Sequence, residues 1–347
     1  MRLSRLVFSI PLFAPTALAH WDDGHKIVAT IAQMYLEPGV LSTICDLHQS
    51  DRQCHLAPLS TWADDHKKEM PWSANMHFVN PSNDNPPKNC LFPATNSPGW
   101  DGIKHVNVLD AIKNTTGILQ RWANKEANDA AASEAVKFLI HFIGDLHQPM
   151  HVTGRARGGN GIKVTFGGPN KESDLHQVWD NDILEKLISR TPSNYTKPLP
   201  QVKVESALQG NKYDPFIRRI VWQGILSTWQ SDTVGWLGCG SSTSSGDTDF
   251  ISTQQDVMTA GVTIDPDTPF VCPHFWAQPI HQLNCDIAWI PDFDDKKIDE
   301  LDTPAYFGKI EKQFVVEKLL AQGGIRLAGL LNFVFSSRGG NKGLFLA

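Results

Sequence analysis

Positive charge is in short supply. The 347 residues carry 31 Lys and Arg against 37 Asp and Glu, a formal net charge of −6. A basic surface for binding polyanions is therefore not expected, and any anionic partner needs positive charge from another source. None of the six cysteines forms a CxxC pair, which argues against a thiolate metal site. Beyond the N-terminus no run of about 18 uncharged apolar residues occurs, so the mature chain is expected to be soluble, with no membrane role. There is no fixed-period repeat and no linker that would divide two cores. With 41% hydrophobic residues the chain can fill one large core.

The first nineteen residues read differently from the rest. Arg2 and Arg5 precede a short apolar run that ends in Ala17-Leu18-Ala19. That order of charge, apolar stretch and small residues predicts a signal peptide over residues 1–19 and a secreted protein. Cleavage after Ala19 makes His20 the first mature residue and leaves one domain over residues 20–347. Removing Arg2 and Arg5 leaves 29 basic against 37 acidic residues, a charge of −8. In an oxidising compartment the six cysteines fit three disulfides, of which Cys45–Cys54 closes a local loop. Asn114 and Asn194 each begin an N-x-Thr glycosylation acceptor.

Helical periodicity dominates. Apolar residues recur at helical spacing over Gly24–Leu36, Val106–Trp122, Ala131–Leu146, Asp182–Ile188, Pro215–Trp229 and Phe314–Phe335. The last of these reads as a core helix. Pro81–Gly99 is a Pro- and Asn-rich loop. Gly158–Gly168 holds one short alternating strand between glycines, consistent with a small irregular hairpin. A Ser/Gly-rich surface insertion falls at about 231–270. The expected fold is all-α, a single mostly helical domain.

The histidines carry the chemistry. In FLIHFIGDLHQPMH, residues 138–151, His141 and Asp145 lie four apart and share a helix face. His147 falls well round from that face, and Pro149 ends the helix before His151. LHQVWD, residues 175–180, repeats the His/Asp spacing with His176 and Asp180. Asp64 of TWAD and His77 of MHF stand upstream, and His25 lies five residues beyond the expected new α-amine. Imidazoles and carboxylates without thiolates suit Zn²⁺, and a site with open positions suits hydrolysis.

These motifs, in order, resemble the secreted zinc-dependent class I nucleases and 3′-nucleotidases of the phospholipase C/nuclease superfamily. The resemblance rests on Gly24-His25, WAD at 62–64, HF at 77–78, HFIGDLHQPMH at 141–151, GGN at 158–160 and LHQVWD at 175–180. CPHFWAQPIHQLNC at 272–285 and GIRLAGLLN at 324–332 extend it to about Phe335. It implies three zinc ions per chain. The first takes Asp64, His77, His141 and Asp145. The second takes His151, His176 and Asp180. The third takes the amine and carbonyl of His20 together with His25, and Asp145 bridges the first and third. Asp64, Lys67 and Asp145 are the implied catalytic residues; Lys67, Phe78, Asn80 and Asn160 are the implied substrate contacts. The implied partners are single-stranded DNA and RNA and 3′-nucleotides, cleaved by a monomer with no stable protein partner. The resemblance also implies Cys90–Cys285, which leaves Cys239–Cys272. His147 matches no ligand and reads as a bystander; His48, His55, His66, His105, His274 and His281 read as surface or structural.

Three departures stand out. His20 replaces the family's first tryptophan, and Trp21 follows it. Lys67 stands where arginine is common, which keeps the charge and loses the bidentate fork. Asn80 replaces an acidic base contact, so base preference is open. A phosphatidylcholine-type zinc phospholipase C is the nearest alternative, and a zinc-binding protein without catalysis the more distant one.

Overall fold

The computed structural model describes residues 22–48, 54–94, 97–239, 271–290 and 297–336. The expected signal peptide, His20 and most of the 231–270 insertion lie outside them. In chain order the helices are α1 (Asp22–Met34), α2 (Val40–Leu47), α3 (Trp62–Asp65), α4 (Val108–Ala123), α5 (Asp129–Leu146) and α6 (Leu175–Gln177). They continue as α7 (Ile183–Ser189), α8 (Val202–Ala207), α9 (Asp214–Arg219), α10 (Pro273–Leu283), α11 (Phe307–Lys312) and α12 (Val315–Ser336). The strands are short. β1 (Asn80–Pro81) pairs antiparallel with β2 (Trp100–Asp101). β3 (Lys163–Thr165) lies between antiparallel β4 (Glu172–Asp174) and parallel β5 (Asp299–Glu300). The protein is mostly helical, as its periodicity predicts.

Caps set the helix starts. The Asn107 side chain accepts from the Leu109 and Asp110 amides at 2.9 and 3.0 Å, so α4 begins at Val108 and not Val106. Asn128 accepts from the Ala131 amide at 2.9 Å and starts α5 two residues before the apolar pattern does. The expected Pro215–Trp229 helix changes pitch. It is α-helical only to Arg219 and then winds as a π-helix over Ile220–Thr228. The cause is at its end. Trp229 folds its indole over Gly224, where a Cβ would lie 2.3 Å from the ring, and its amide bonds to the Gly224 carbonyl five residues back. The expected Asp182–Ile188 helix starts at Ile183 because a π stretch, Val178–Asp182, precedes it.

The core is built around α5, α1 and α12. α5 packs along α4, and α1 along α12. α12 is long and apolar enough to cross a membrane, yet 83% of that stretch is buried inside the fold, so it serves as a core helix. Close approach of α1 and α12 depends on Gly323 and Gly324. At Gly324 an added Cβ would sit 2.4 Å from Ile31 Cγ2 and 3.2 Å from the Val28 carbonyl oxygen.

Disulfides join Cys45 to Cys54, Cys90 to Cys285 and Cys239 to Cys272. The second anchors the 81–99 loop to the end of α10. The same loop is held by a buried pair, His281 Nε2 to Asp84 Oδ1 at 3.1 Å, and by His274 Nε2 donating to the Pro93 carbonyl at 2.7 Å. β5 had no local sign in the sequence. The Glu300 carboxylate accepts from the Gly167 and Gly168 amides, each at 3.0 Å, which fixes β5 against the turn after β3.

Two stability predictions follow from α12. Replacing helical Gly by Ala normally gains about 1 kcal/mol. At Gly324 the contact with Ile31 outweighs this, and Gly324→Ala is expected to lose about 1–3 kcal/mol as overpacking. Gly308 in α11 has only ordinary contacts, 3.7 Å and beyond; Gly308→Ala is expected to be neutral or stabilising. Urea unfolding of both variants checks the sign. The second concerns Glu317, which is 1% exposed, with Arg219 at 3.7 Å. Burial pushes its carboxyl up to about 7, against the pull of Arg219. A raised folded-state pKa adds stability below the unfolded value, and that stability is lost as pH rises through about 7. Glu317→Gln is therefore expected to gain on the native chain above pH 7, by up to roughly 3 kcal/mol, and not at pH 4. Equal differences at pH 4 and pH 9 would refute it.

Candidate metal centre

α5 is apolar nearly all round, with Phe138, Leu139, Ile140, Phe142 and Ile143 buried, so its polar residues have nowhere to go but inward. His141 is 0% exposed and Asp145 2%. A carboxylate so deep must be paired, and four imidazoles surround it. Asp145 Oδ2 lies 3.2 Å from His141 Nε2 and 3.0 Å from His77 Nδ1. Its Oδ1 lies 3.2 Å from His151 Nδ1 and 3.5 Å from His25 Nε2. Asp64 Oδ1 adds a second carboxylate, 3.7 Å from His77 Nδ1 and 3.8 Å from His141 Nε2. A second group forms alongside. His176 Nε2 lies 3.0 Å from Asp180 Oδ2, and His151 Nε2 lies 3.6 Å from Asp180 Oδ1.

Backbone carbonyls orient three of these rings. Nδ1 donates to the Ser60 carbonyl from His141 at 2.8 Å, to the His77 carbonyl from His151 at 2.8 Å, and to the Gly158 carbonyl from His176 at 2.6 Å. These roles follow from each ring facing an oxygen that can only accept. Each Nε2 then turns a lone pair towards carboxylate oxygens. That arrangement is repulsive unless a proton or a cation lies between. The donor chemistry, imidazole and carboxylate with the outer ring N–H fixed by a carbonyl, fits a divalent metal such as zinc. Among the described residues, His77 Nε2 and His25 Nδ1 are buried without a hydrogen-bond partner.

The electrostatics agree. Burial alone would raise the Asp145 carboxyl, but His141, His151 and His77 overcome it and hold it well below the carboxylate range. Burial opposes charge on His141 too, yet Asp145 and Asp64 push it up to about 9. His25 goes the other way, to about 4, because burial and the neighbouring His141 disfavour its cation. Its ring stacks on His141 with centroids 4.0 Å apart and 7° between planes. Gly144 makes room for it; a Cβ there would lie 2.3 Å from His25 Nδ1.

The expected residues thus gather as three sets, the first two sharing His141: Asp64, His77 and His141; His25, His141 and Asp145; His151, His176 and Asp180. His20 lies outside the described residues. Asp84 and His281 also sit beside Cys90, but that sulfur is in a disulfide and offers no thiolate. The sets open on a cleft of about 760 Å³, whose walls include Lys67, Phe78, Asn80 and Asn160. Lys67 Nζ lies 3.5 Å from Asp64 Oδ1.

His147 is more than a bystander. It is 3% exposed and lines the cleft. Its Nδ1 donates to the Ile143 carbonyl at 2.7 Å, and its Nε2 accepts from Arg326 Nη1 at 2.7 Å. It ties the end of α5 to α12, a contact that no reading of its own helix face reveals. The other six histidines stay outside the cluster. Sequence reading missed Gln148, which donates to Asp180 Oδ1 at 2.7 Å; its place before Pro149 was the available sign. It missed the turn at Ala156–Gly159 as well. Four successive residues there are left-handed, with φ of 48°, 59°, 61° and 84°. For Ala156 and Arg157 that conformation costs about 1–3 kcal/mol each. The turn brings the Gly158 carbonyl to His176, and a Cβ on Gly158 would lie 2.5 Å from the Met150 carbonyl oxygen. Of the glycosylation acceptors, Asn194 is exposed, whereas Asn114 sits within α4 with Oδ1 buried.

The chain is similar to known proteins along most of its length. Residues 20–336 match the family model described as S1/P1 Nuclease. Endonuclease 3 of Arabidopsis thaliana is 30% identical over 328 residues, 93% of this chain and 91% of that one. Nuclease S1 of Aspergillus oryzae is 28% identical over 94% of this chain and 98% of its own. Nuclease P1 of Penicillium citrinum is 27% identical over 90% and 97%. With nearly its whole length matched, the chain belongs to the S1/P1 nuclease family.

Proposed function

We propose that the cleft is a three-zinc phosphoesterase site that hydrolyses single-stranded DNA and RNA to 5′-nucleotides and removes phosphate from 3′-nucleotides. The observation that carries this reading is the ring of imidazoles around Asp145, three histidines of the cluster having Nδ1 fixed by carbonyls, in a chain of a nuclease family. Asp64, His77, His141 and Asp145 would hold one ion, and His151, His176 and Asp180 a second. His25, Asp145 and the main-chain amine and carbonyl of His20 would hold the third. When bound, such ions acidify water and offset charge on phosphoryl oxygens.

The chain's own groups do the rest. Asp64 sits beside both His77 and Lys67, so it can orient a water towards phosphorus while Lys67 holds a phosphoryl oxygen. Phe78 on the cleft wall offers a ring on which an unpaired base can stack, worth about 1–3 kcal/mol. Asn80 offers a donor and an acceptor to the base edge, and Asn160 an amide to phosphate. Stacking needs a splayed base, which favours single strands over duplex. The three disulfides suit a secreted protein, and Asn194 is the glycan acceptor that the fold presents. A phosphatidylcholine phospholipase is the competing reading, and the nuclease relatives weigh against it.

The purified protein should contain three zinc ions per chain. Single-stranded DNA, RNA, 3′-AMP and phosphatidylcholine assayed side by side should show turnover of the first three only; cleavage of the lipid alone would sink the proposal. Removing a group that only orients a metal ligand typically costs about 10–100-fold in metal affinity or activity. Asp145→Asn removes a shared ligand and is expected to cost more than about 100-fold, with loss of bound zinc measured by elemental analysis. A further test addresses the N-terminus. One residue left ahead of His20 should lower the zinc content towards two. Three zinc ions in that form would overturn the amine assignment.

A further inference from the structure

The cleft wall holds three Lys or Arg side chains, and two are already neutralised. Lys67 faces Asp64 at 3.5 Å, and Lys163 faces Asp174 at 3.7 Å. The third, Arg157, is exposed, and its guanidinium makes no hydrogen bond or ion pair among the described residues. Its neighbour in sequence, Arg155, is engaged with the Pro86 carbonyl and the Trp289 ring.

Arg157 is also held in an unfavourable backbone conformation, φ 59°, between left-handed Ala156 and Gly158. Glycine would adopt it without strain. The turn itself is closed by backbone bonds, Gly159 N to Arg155 O at 3.1 Å and Gly161 N to Ala156 O at 2.9 Å. The orientation of His176 needs only the Gly158 carbonyl. Neither therefore uses the arginine side chain. A strained position that keeps a long cation with no structural partner, one residue from the support of His176, points to a ligand.

We propose that Arg157 is a substrate-binding residue that grips a phosphate flanking the scissile one, so that the cleft favours polynucleotides over mononucleotides. This rests on the reading of the cleft as a nuclease site and adds a second phosphate contact to it. A planar guanidinium suits a phosphodiester through paired N–H donors. The contact is to the backbone, so it carries no base preference.

The test uses the full mature protein and an octathymidylate with hydrolysis-resistant phosphorodithioate linkages, its binding followed by fluorescence anisotropy against salt. Arg157→Gly is expected to weaken binding roughly tenfold, and to make the slope of log K against log salt less negative by about 0.7, the value for one single-strand phosphate. Octa-adenylate should lose the same factor. Arg157→Lys should keep the slope and lose part of the affinity. The Tm of Arg157→Gly should hold or rise, because glycine relieves the turn. An unchanged slope and affinity in Arg157→Gly overturns the proposal; so does a marked fall in its Tm, which would assign the side chain to the fold. If the native protein cleaves no ordinary octanucleotide, it is the nuclease reading that fails.

Discussion

Everything near the cleft depends on a carboxylate in the wrong place. Asp145 sits at the end of a helix buried on almost every side, at 2% exposure. Transfer of a lone carboxylate to such a place costs several kcal/mol, and it is tolerated only when positive charge surrounds it. The surrounding groups are imidazoles, which are positive only when protonated or bound to a cation. Two of them, His141 and His151, have one N–H committed to a backbone carbonyl, as has His176 beside Asp180. The inner nitrogens therefore face the carboxylates with lone pairs, and the interior is stable only with something cationic in the gaps. Protons serve in part, as the raised pKa of His141 indicates. Divalent ions would fill the same gaps with more charge and compete with those protons.

The fold is arranged to serve that carboxylate. His25 comes from α1, His141 from α5, and His77 and His151 from short 3₁₀ turns, so four separate segments must meet at one point. Glycines permit the meeting. Gly144 admits His25 against α5, and Gly324 lets α12 press on α1. His147, two residues beyond Asp145, is clamped by Arg326 of α12. The last turn of α5 is thus fixed from outside as well as by its own bonds, and the same packing that forms the core sets the distances at the cluster.

Which parts of this were legible in the sequence follows from how far each depends on local geometry. His141 with Asp145 and His176 with Asp180 could be paired because the helix period fixes residues four apart. Helix starts were misplaced by two residues at α4 and α5, because Asn107 and Asn128 were not weighed as caps. The π stretch of Ile220–Thr228 was hidden, since it arises from the indole of Trp229 lying over Gly224. β5 was hidden because its partner is about 135 residues away. The carbonyls of Ser60, His77 and Gly158 were invisible in principle, since every residue has one. His147 was misjudged for a related reason: its partner lies on α12, and a helical wheel holds no information about other helices.

Charge closes the argument. The expected mature chain is at −8, and the cleft itself concentrates Asp64, Asp145 and Asp180. Of the cations on its wall, Lys67 and Lys163 already face carboxylates. Without ions this is a poor place for a polyanion. The three Zn²⁺ of the proposed site would add six positive charges, bringing the chain to −2 and reversing the sign where the carboxylates cluster. Attraction for phosphate would then come from the site and not from the surface. Such a protein would hold nucleic acid by a few strong contacts at the reacting centre, and the acidic remainder would repel strand that is not engaged there. A mostly acidic chain is therefore compatible with a polyanionic substrate, provided its buried carboxylates are spent on cations.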